Sequence, residues 1–167
     1  MRWRNWRRNL VIKCHKAKFD GNLLKRGFWI YICVIAQNGK EALYVGRTGD
    51  SSSPYAASPF LRLTGHLNRK STAKSAAMLN QLTKHGFDVE QCSFQLYAFG
   101  PLFPEQLLFE QHKPYRDILA GLEKGFAKKL HDRGYIVIGT HNSKIECDTE
   151  LLSQVINHAD FIWKPRA

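Results

Sequence analysis

Residues 28–46 read FWIYICVIAQNGKEALYVG and predict a β-hairpin. The first nine of these residues are rich in aromatic and β-branched side chains, which favour strands. The dipeptide Asn38-Gly39 is a strong signal for a two-residue turn, and residues 42–46 form the natural return strand. This hairpin is the centre from which the rest of the fold is predicted.

The turn decides which residues of the two strands lie opposite each other. A two-residue turn places Tyr31 opposite Gly46 and Cys33 opposite Tyr44. Because side chains alternate across a strand, one face of the hairpin is aliphatic and is expected to face the core. We expect the other face to be a shallow surface with exposed hydroxyls and room at its glycine for a substrate backbone, although tyrosine is also enriched in strands for packing reasons alone. The aliphatic face holds Ile30, Ile32, Val34, Leu43 and Val45, and the other holds Trp29, Tyr31, Cys33, Tyr44 and Gly46.

Strands and helices alternate beyond the hairpin. Ser58 can cap a helix that has Pro59 at its first position and runs to residue 70. The pattern as a whole predicts an α/β (α+β) fold, with a small central, mainly antiparallel sheet flanked by helices. The other predicted elements are helices over 73–85, 104–113, 114–133 and 149–157 and strands over 92–99 and 135–138.

The chain of 167 residues is long enough for one domain with its own core, and it is strongly basic. It carries 25 Lys and Arg against 14 Asp and Glu, a formal net charge of +11. Residues 1–26 hold nine basic residues and one acidic residue, whereas residues 88–167 hold nine basic residues and eleven acidic residues. A basic excess of this kind indicates a polyanionic partner, with nucleic acid first and an anionic membrane surface second.

Four cysteines are scattered singly along the chain, without the paired spacing of a zinc site or a compact disulfide framework. No stretch has the apolar length of a membrane span, and the apolar run after the first arginines is too short for a signal peptide. We therefore expect a cytoplasmic protein that binds no membrane and keeps its thiols reduced and buried. These cysteines are Cys14, Cys33, Cys92 and Cys147.

Two short motifs lie on the paired strands of the hairpin, and they are followed by an ordered set of polar residues. Residues 29–31 (WIY) followed by residues 44–46 (YVG) resemble the paired signature of the GIY-YIG nuclease superfamily, with Trp29 in place of the first glycine. The resemblance covers residues 27–145, which leaves residues 1–26 as a basic arm and residues 146–167 as a C-terminal helical extension. The remaining polar residues follow in the superfamily's order: Arg62, then His66 one helical turn later, then Glu123 and Asn142.

The resemblance implies a metal-dependent DNA endonuclease that hydrolyses phosphodiester bonds. Glu123 would hold Mg²⁺ or Mn²⁺, and Tyr31 would be the base that activates the nucleophile. Arg62 would donate to the non-bridging phosphate oxygens, and His66 would relay a proton or contact the phosphate. Glu110 is the rival candidate for the metal ligand.

Three further residues complete the implied site. Tyr44 would position water or phosphate, Arg47 would contact the DNA backbone, and Asn142 would occupy the last polar position. The pair Arg62 and His66 resembles the version found in some restriction endonucleases, which favours a restriction-like role. Cutting both strands with one active site per chain usually needs a second copy, so a homodimer is compatible with this interpretation.

The first eight residues, MRWRNWRR, interleave two tryptophans with four arginines. Arginine neutralises phosphates and indole stacks on bases, so this arm is expected to bind double-stranded DNA. The alternative is a packed N-terminal helix whose tryptophans belong to the core. The residues expected to contact DNA are Arg2, Arg4, Arg7, Arg8, Arg47, Arg69 and Lys70.

Two other functions remain open on the sequence. The first is a catalytically inactive module with the same fold that only binds nucleic acid, for which Trp29 in place of glycine is the best argument. The second is a protein-interaction domain with a basic surface, which would leave the face that carries Tyr31 and Tyr44 unexplained.

Overall fold

A computed structural model describes residues 12–51, 53–68 and 77–159. The arginines predicted to form the N-terminal arm, Arg69, Lys70 and the last residues of the C-terminal extension lie outside the described residues. The described chain forms one four-stranded sheet with helices around it, which confirms the predicted α+β fold. Its elements are β1 (Phe28–Gln37), β2 (Lys40–Arg47), α1 (Pro59–His66), α2 (Ala77–Lys84), β3 (Ser93–Phe103), α3 (Phe109–Asp132), β4 (Val137–Ile138) and α4 (Thr149–Asn157), with short 3-10 helices at Gly21–Leu24 and Val89–Gln91.

The hairpin of β1 and β2 has the predicted register. Tyr31 pairs with Gly46, and Cys33 pairs with Tyr44. Asn38 and Gly39 have φ values of 50° and 79°, the left-handed values that a two-residue turn of this kind requires at both positions. The strand order is β3-β1-β2-β4, with β3 antiparallel to β1 and β4 parallel to β2, so the sheet is mainly antiparallel, as predicted.

The aliphatic face of the hairpin packs against α3 and α4, as expected for the core side. Ile30 and Ile32 of β1 and Leu43 of β2 are at most 1% exposed. They share one buried cluster with apolar residues of both helices, among them Leu119, Leu122, Phe126 and Val155.

The tyrosine face is also buried, so the prediction of exposed hydroxyls was wrong. Tyr31 is 0% exposed and Tyr44 is 7% exposed. They share a second cluster with Leu63 of α1 and with Met78 and Leu82 of α2. The alternation of side chains separates the two faces of a strand correctly, but it does not reveal whether a second layer of helices covers the polar face.

The helices differ from the prediction in two places. Helix α1 begins as predicted, because the Ser58 side chain accepts a hydrogen bond from the Leu61 N–H at 3.3 Å, but α1 ends at His66 instead of residue 70. The two helices predicted over 104–113 and 114–133 are one helix, α3, that starts at Phe109. Pro114 lies inside α3, where its missing N–H costs one backbone hydrogen bond that the long helix tolerates.

All four cysteines are free, but they are not uniformly buried. Cys33 is buried in the sheet, Cys92 and Cys147 are half-buried, and Cys14 is exposed. The expectation of buried thiols was therefore wrong for Cys14, which lies in the extended segment before the first 3-10 helix. Within the part of the chain that the structure describes, no helix is long and apolar enough to cross a membrane.

Candidate active site

A cavity of about 260 Å³ opens at the end of β2, between the loop that follows it and helices α1, α2 and α3. Four of the predicted catalytic residues line it, namely Tyr44, Arg62, His66 and Glu123. Residues from five separate parts of the chain therefore meet in one place. The full lining is Tyr44, Gly46, Arg47, Asp50, Arg62, His66, Ala77, Gln81, Glu123 and Thr140.

Tyr31 lies beside this cavity, behind Gly46. The phenol ring of Tyr31 fills the space that a β-carbon on residue 46 would need. The Tyr31 hydroxyl is buried and has no hydrogen-bond partner among the described residues. A buried polar group without a partner costs free energy, and such a group beside a cavity is a candidate contact for a ligand.

Both tyrosines keep their protons at neutral pH. Burial raises the pKa of Tyr31 well above 10.0; the neighbouring Tyr44 adds to this rise, and Arg62 opposes it. Burial also raises the pKa of Tyr44, to about 12. A role for Tyr31 as a base therefore depends on positive charge brought close to its hydroxyl.

Glu123 of α3 is bound to Arg47 of β2. The Arg47 Nε donates to Glu123 Oε2 at 2.9 Å, and Arg47 Nη1 donates to the carbonyl of Arg116 at 3.4 Å. Burial raises the pKa of Glu123, while the charge and the hydrogen bond of Arg47 lower it. Arg47, predicted to contact DNA, thus also attaches the end of β2 to α3.

Arg62 of α1 forms an ion pair with Asp50, a residue of the loop after β2. The Arg62 Nη2 donates to Asp50 Oδ2, whereas the Arg62 Nε is buried and has no hydrogen-bond partner in the part of the chain that the structure describes. The loop is held in turn by α3, because the buried His112 Nε2 donates to the Gly49 carbonyl at 2.9 Å. Arg62 therefore retains an N–H that can bind a further acceptor.

His66 lies one helical turn after Arg62 and faces the same cavity, as the spacing predicted. Its ring is 6% exposed and lies 5.4 Å from the ring of Tyr44, centroid to centroid, at an angle of 57°. The imidazole is therefore close to a phenol of the paired motif.

Asn142 is exposed and does not line the cavity. Thr140, two residues earlier, lines it instead. The intervening His141 ties this segment to the hairpin, since its Nε2 donates to the Val45 carbonyl at 3.1 Å. The structure therefore does not bring Asn142 together with the other predicted catalytic residues.

The two glutamates considered as metal ligands are well separated. Glu123 lines the cavity, whereas Glu110 is exposed in the first turn of α3. Thirteen residues of helix separate them by about 20 Å along the helix axis. Only Glu123 is in a position to act together with Tyr44 and Arg62.

Trp29, which stands where the sequence resemblance leads us to expect a glycine, lies outside the cavity lining. Its indole Nε1 donates to the Lys25 carbonyl at 3.1 Å, and its backbone N–H donates to the buried Thr48 hydroxyl at 2.8 Å. The large side chain is accommodated at the end of the sheet, next to Gly27 and Gly100. It does not occupy the space of the candidate site.

Sequence reasoning missed three polar residues of the cavity: Asp50, Gln81 and Thr140. Asp50 carried a usable signal, because it follows the second half of the motif by only four residues. Gln81 and Thr140 had no signal, since only the packing of α2 and of the segment after β4 brings them to this place.

The donor set fits a divalent cation that is shared with a substrate. Asp50 and Glu123 are the carboxylates of the lining, and among the described residues no group of three or more His, Cys, Asp and Glu could hold a metal. Mg²⁺ usually uses one or two carboxylates together with water and phosphate oxygens. The buried Tyr31 hydroxyl is a further oxygen without a partner among the described residues.

Comparison of the chain with protein-family models, with curated proteins and with solved structures finds no match.

Proposed function

We propose that this protein is a metal-dependent DNA endonuclease of the GIY-YIG type. The observation that carries the proposal is the Tyr31 hydroxyl, which is fully buried, has no partner among the described residues and lies against Gly46, a residue that lines the cavity together with Tyr44, Arg62, His66 and Glu123. Tyr44, the pair Arg62 and His66, and Glu123 lie far apart in the sequence, yet all four residues line one cavity.

The hydrogen-bonding capacity of the site suits a phosphodiester. The Tyr31 hydroxyl and the Arg62 Nε are two buried donors with no partner among the described residues. The two non-bridging oxygens of a phosphodiester are acceptors, and Arg62 provides a charged, forked donor where negative charge accumulates during hydrolysis. Such a group would accept from the Arg62 Nε, and it would accept from the Tyr31 hydroxyl as long as the phenol keeps its proton.

Proton transfer would rest on Tyr31 and its neighbours. Arg62 lowers the pKa of Tyr31 against the effect of burial, so it favours the phenolate that a base requires. Glu123 would hold the Mg²⁺ or Mn²⁺, which when bound polarises the phosphate and stabilises the leaving oxygen. His66, beside Tyr44, can accept or return a proton at the edge of the site.

The test is cleavage of supercoiled plasmid DNA in the presence of Mg²⁺, with and without EDTA. We expect the wild-type protein to nick or linearise the plasmid only without the chelator. Tyr31→Phe and Glu123→Ala should abolish cleavage, and the controls Tyr55→Phe and Glu110→Ala should cut like the wild type, because both of these residues are exposed and lie outside the cavity lining.

A wild-type protein that cuts no DNA under these conditions would remove the catalytic proposal. If it still bound duplex DNA, the inactive nucleic-acid-binding module would be the better description. Removal of residues 1–8 tests the arm separately: fewer phosphate contacts should make DNA affinity depend less steeply on salt concentration. An unchanged dependence on salt would exclude phosphate contacts by the arm.

A further inference from the structure

The charged side chains that line the cavity neutralise one another in pairs. Arg47 binds Glu123 at 2.9 Å, and Arg62 binds Asp50. The formal charges of these four residues cancel, although the whole chain carries a net charge of +11. A phosphate that enters the cavity therefore meets two arginines that are each already bound to a carboxylate, and only the Arg62 Nε is still without a partner among the described residues.

The two pairs are close enough to water to exchange partners. Their side chains are between 17% and 29% exposed, so the pairs are neither fully desolvated nor freely solvated. A phosphate that enters the cavity competes with Asp50 for Arg62, and it is repelled by both carboxylates. A divalent cation on the carboxylates would remove the competition and the repulsion together.

Tyr31 independently indicates a ligand at this position. Its hydroxyl is buried, and no described residue is its hydrogen-bond partner. The charges of Asp50 and Glu123 raise the pKa of this hydroxyl and that of Arg62 lowers it, so its surroundings include members of both ion pairs. A hydroxyl in this place can donate to a phosphate oxygen or accept from a cation-bound water.

We propose that Asp50 and Glu123 together hold one divalent cation, and that this cation and a phosphate group bind cooperatively because the cation releases Arg62 and Arg47 for the phosphate. The inference rests on the proposed nuclease function and extends it to Asp50, which becomes a second cation ligand and, in the free protein, a restraint on Arg62.

The cooperativity can be measured on the wild-type chain alone. Calorimetry gives the affinity for Ca²⁺ with and without a short DNA duplex, and fluorescence anisotropy gives the affinity for the labelled duplex with and without Ca²⁺. Gels of the same samples verify that the DNA stays intact. We expect each ligand to tighten binding of the other by the same factor, about fivefold or more.

Asp50→Asn tests the residue itself, with Asp132→Asn as the matched control. Asp132 likewise forms an ion pair with a basic side chain, that of Lys128. Asp132, however, lies at the exposed end of α3. Without a divalent cation, D50N should bind the duplex about fivefold more tightly than D132N, since Arg62 is no longer held. D50N should also bind Ca²⁺ about tenfold more weakly than the wild type, because one charged ligand is lost.

The proposal is overturned if wild-type protein binds Ca²⁺ and DNA independently, a result that does not depend on whether D50N folds. It is also overturned if folded D50N, checked by circular dichroism, keeps both the wild-type Ca²⁺ affinity and the wild-type coupling. Failure of the nuclease function alone would look different: Ca²⁺ and DNA would bind cooperatively, while no plasmid would be cut in Mg²⁺.

Discussion

The phenol ring of Tyr31 lies directly over the α-carbon of Gly46, its partner across β1 and β2, and occupies the space of the missing side chain. The glycine thus leaves room for an aromatic ring to approach the neighbouring strand closely. This arrangement places the buried Tyr31 hydroxyl against Gly46, which lines the cavity. Several measurements can test this relationship and the contacts that support it.

Gly46→Ala should lower the free energy of unfolding by about 1–3 kcal/mol, because the new methyl group overlaps the Tyr31 ring and the ring must move. Displacement of the hydroxyl should also reduce DNA cleavage. Gly65→Ala is the control, since a β-carbon there meets open space in α1 and a helical alanine is favoured over glycine by about 1 kcal/mol. Urea denaturation measures the free energy of unfolding of both variants. If Gly46→Ala and Gly65→Ala were equally stable, the packing argument would be contradicted.

Thr48→Val should destabilise the protein by about 2–4 kcal/mol without changing the shape of the residue. The Thr48 hydroxyl accepts from the Trp29 N–H at 2.8 Å and donates to the Gly27 carbonyl at 2.6 Å, and valine leaves both buried groups unpaired. Thr64→Val on the exposed face of α1 loses one hydrogen bond to the Leu61 carbonyl and should cost much less. Thermal unfolding of the two variants, compared with wild type, decides between these outcomes.

His112→Leu should cost about 1–3 kcal/mol of stability, because the buried Gly49 carbonyl loses its donor. The loop that carries Asp50 should then open more often, which faster hydrogen exchange at the adjacent Thr48 would detect, because the Thr48 N–H donates to the Trp29 carbonyl at 3.0 Å. His131→Leu, on the exposed end of α3, is the control and should leave exchange in the loop unchanged. Unaltered protection in H112L would show that the loop is held by other contacts.

The wild-type protein should lose stability between pH 10.0 and about pH 12. The pKa of Tyr44 rises from 10.0 to about 12 on burial, so the folded state keeps a proton that the unfolded state has released. The stabilisation is complete below pH 10.0 and is lost as the pH rises through the folded value. Tyr44→Phe should weaken this dependence and remove a phenol that titrates near pH 12 from the absorbance curve. Tyr55→Phe, at an exposed position, should change neither the pH dependence of stability nor the titration near pH 12. If the pH dependence of Y44F stability matched that of the wild type, Tyr44 would not be the group responsible.

Local sequence signals determined the hairpin and its register. Asn38 and Gly39 adopt the left-handed backbone that asparagine and glycine tolerate best, and every pairing of β1 with β2 follows from that turn. The start of α1 was predictable for a similar reason, since Ser58 and Pro59 act within one turn of the chain. Signals of this kind depend only on residues that are neighbours in sequence, so the local structure they favour is the same in the folded protein.

Features that depend on distant packing were not predictable. Pro114 indicated a helix boundary, but the apolar contacts of α3 with the sheet carry the helix through it. The burial of Tyr31 required helices α1 and α2 to cover its face, and the role of Asp50 required Arg62 to lie beside it. Such contacts join residues far apart in the chain, so no local pattern reports them.

Substitutions in the two buried clusters, which lie on opposite faces of the sheet, should have different effects on the protein. Ile30 and Leu122 do not line the cavity themselves, so small apolar substitutions on their side of the sheet should alter mainly the stability of the fold. The side of Tyr31 and Leu63 forms the support of the cavity itself, and changes there would alter both the stability and the cavity. The stability of the fold can therefore be changed through the first cluster with less effect on the cavity than through the second.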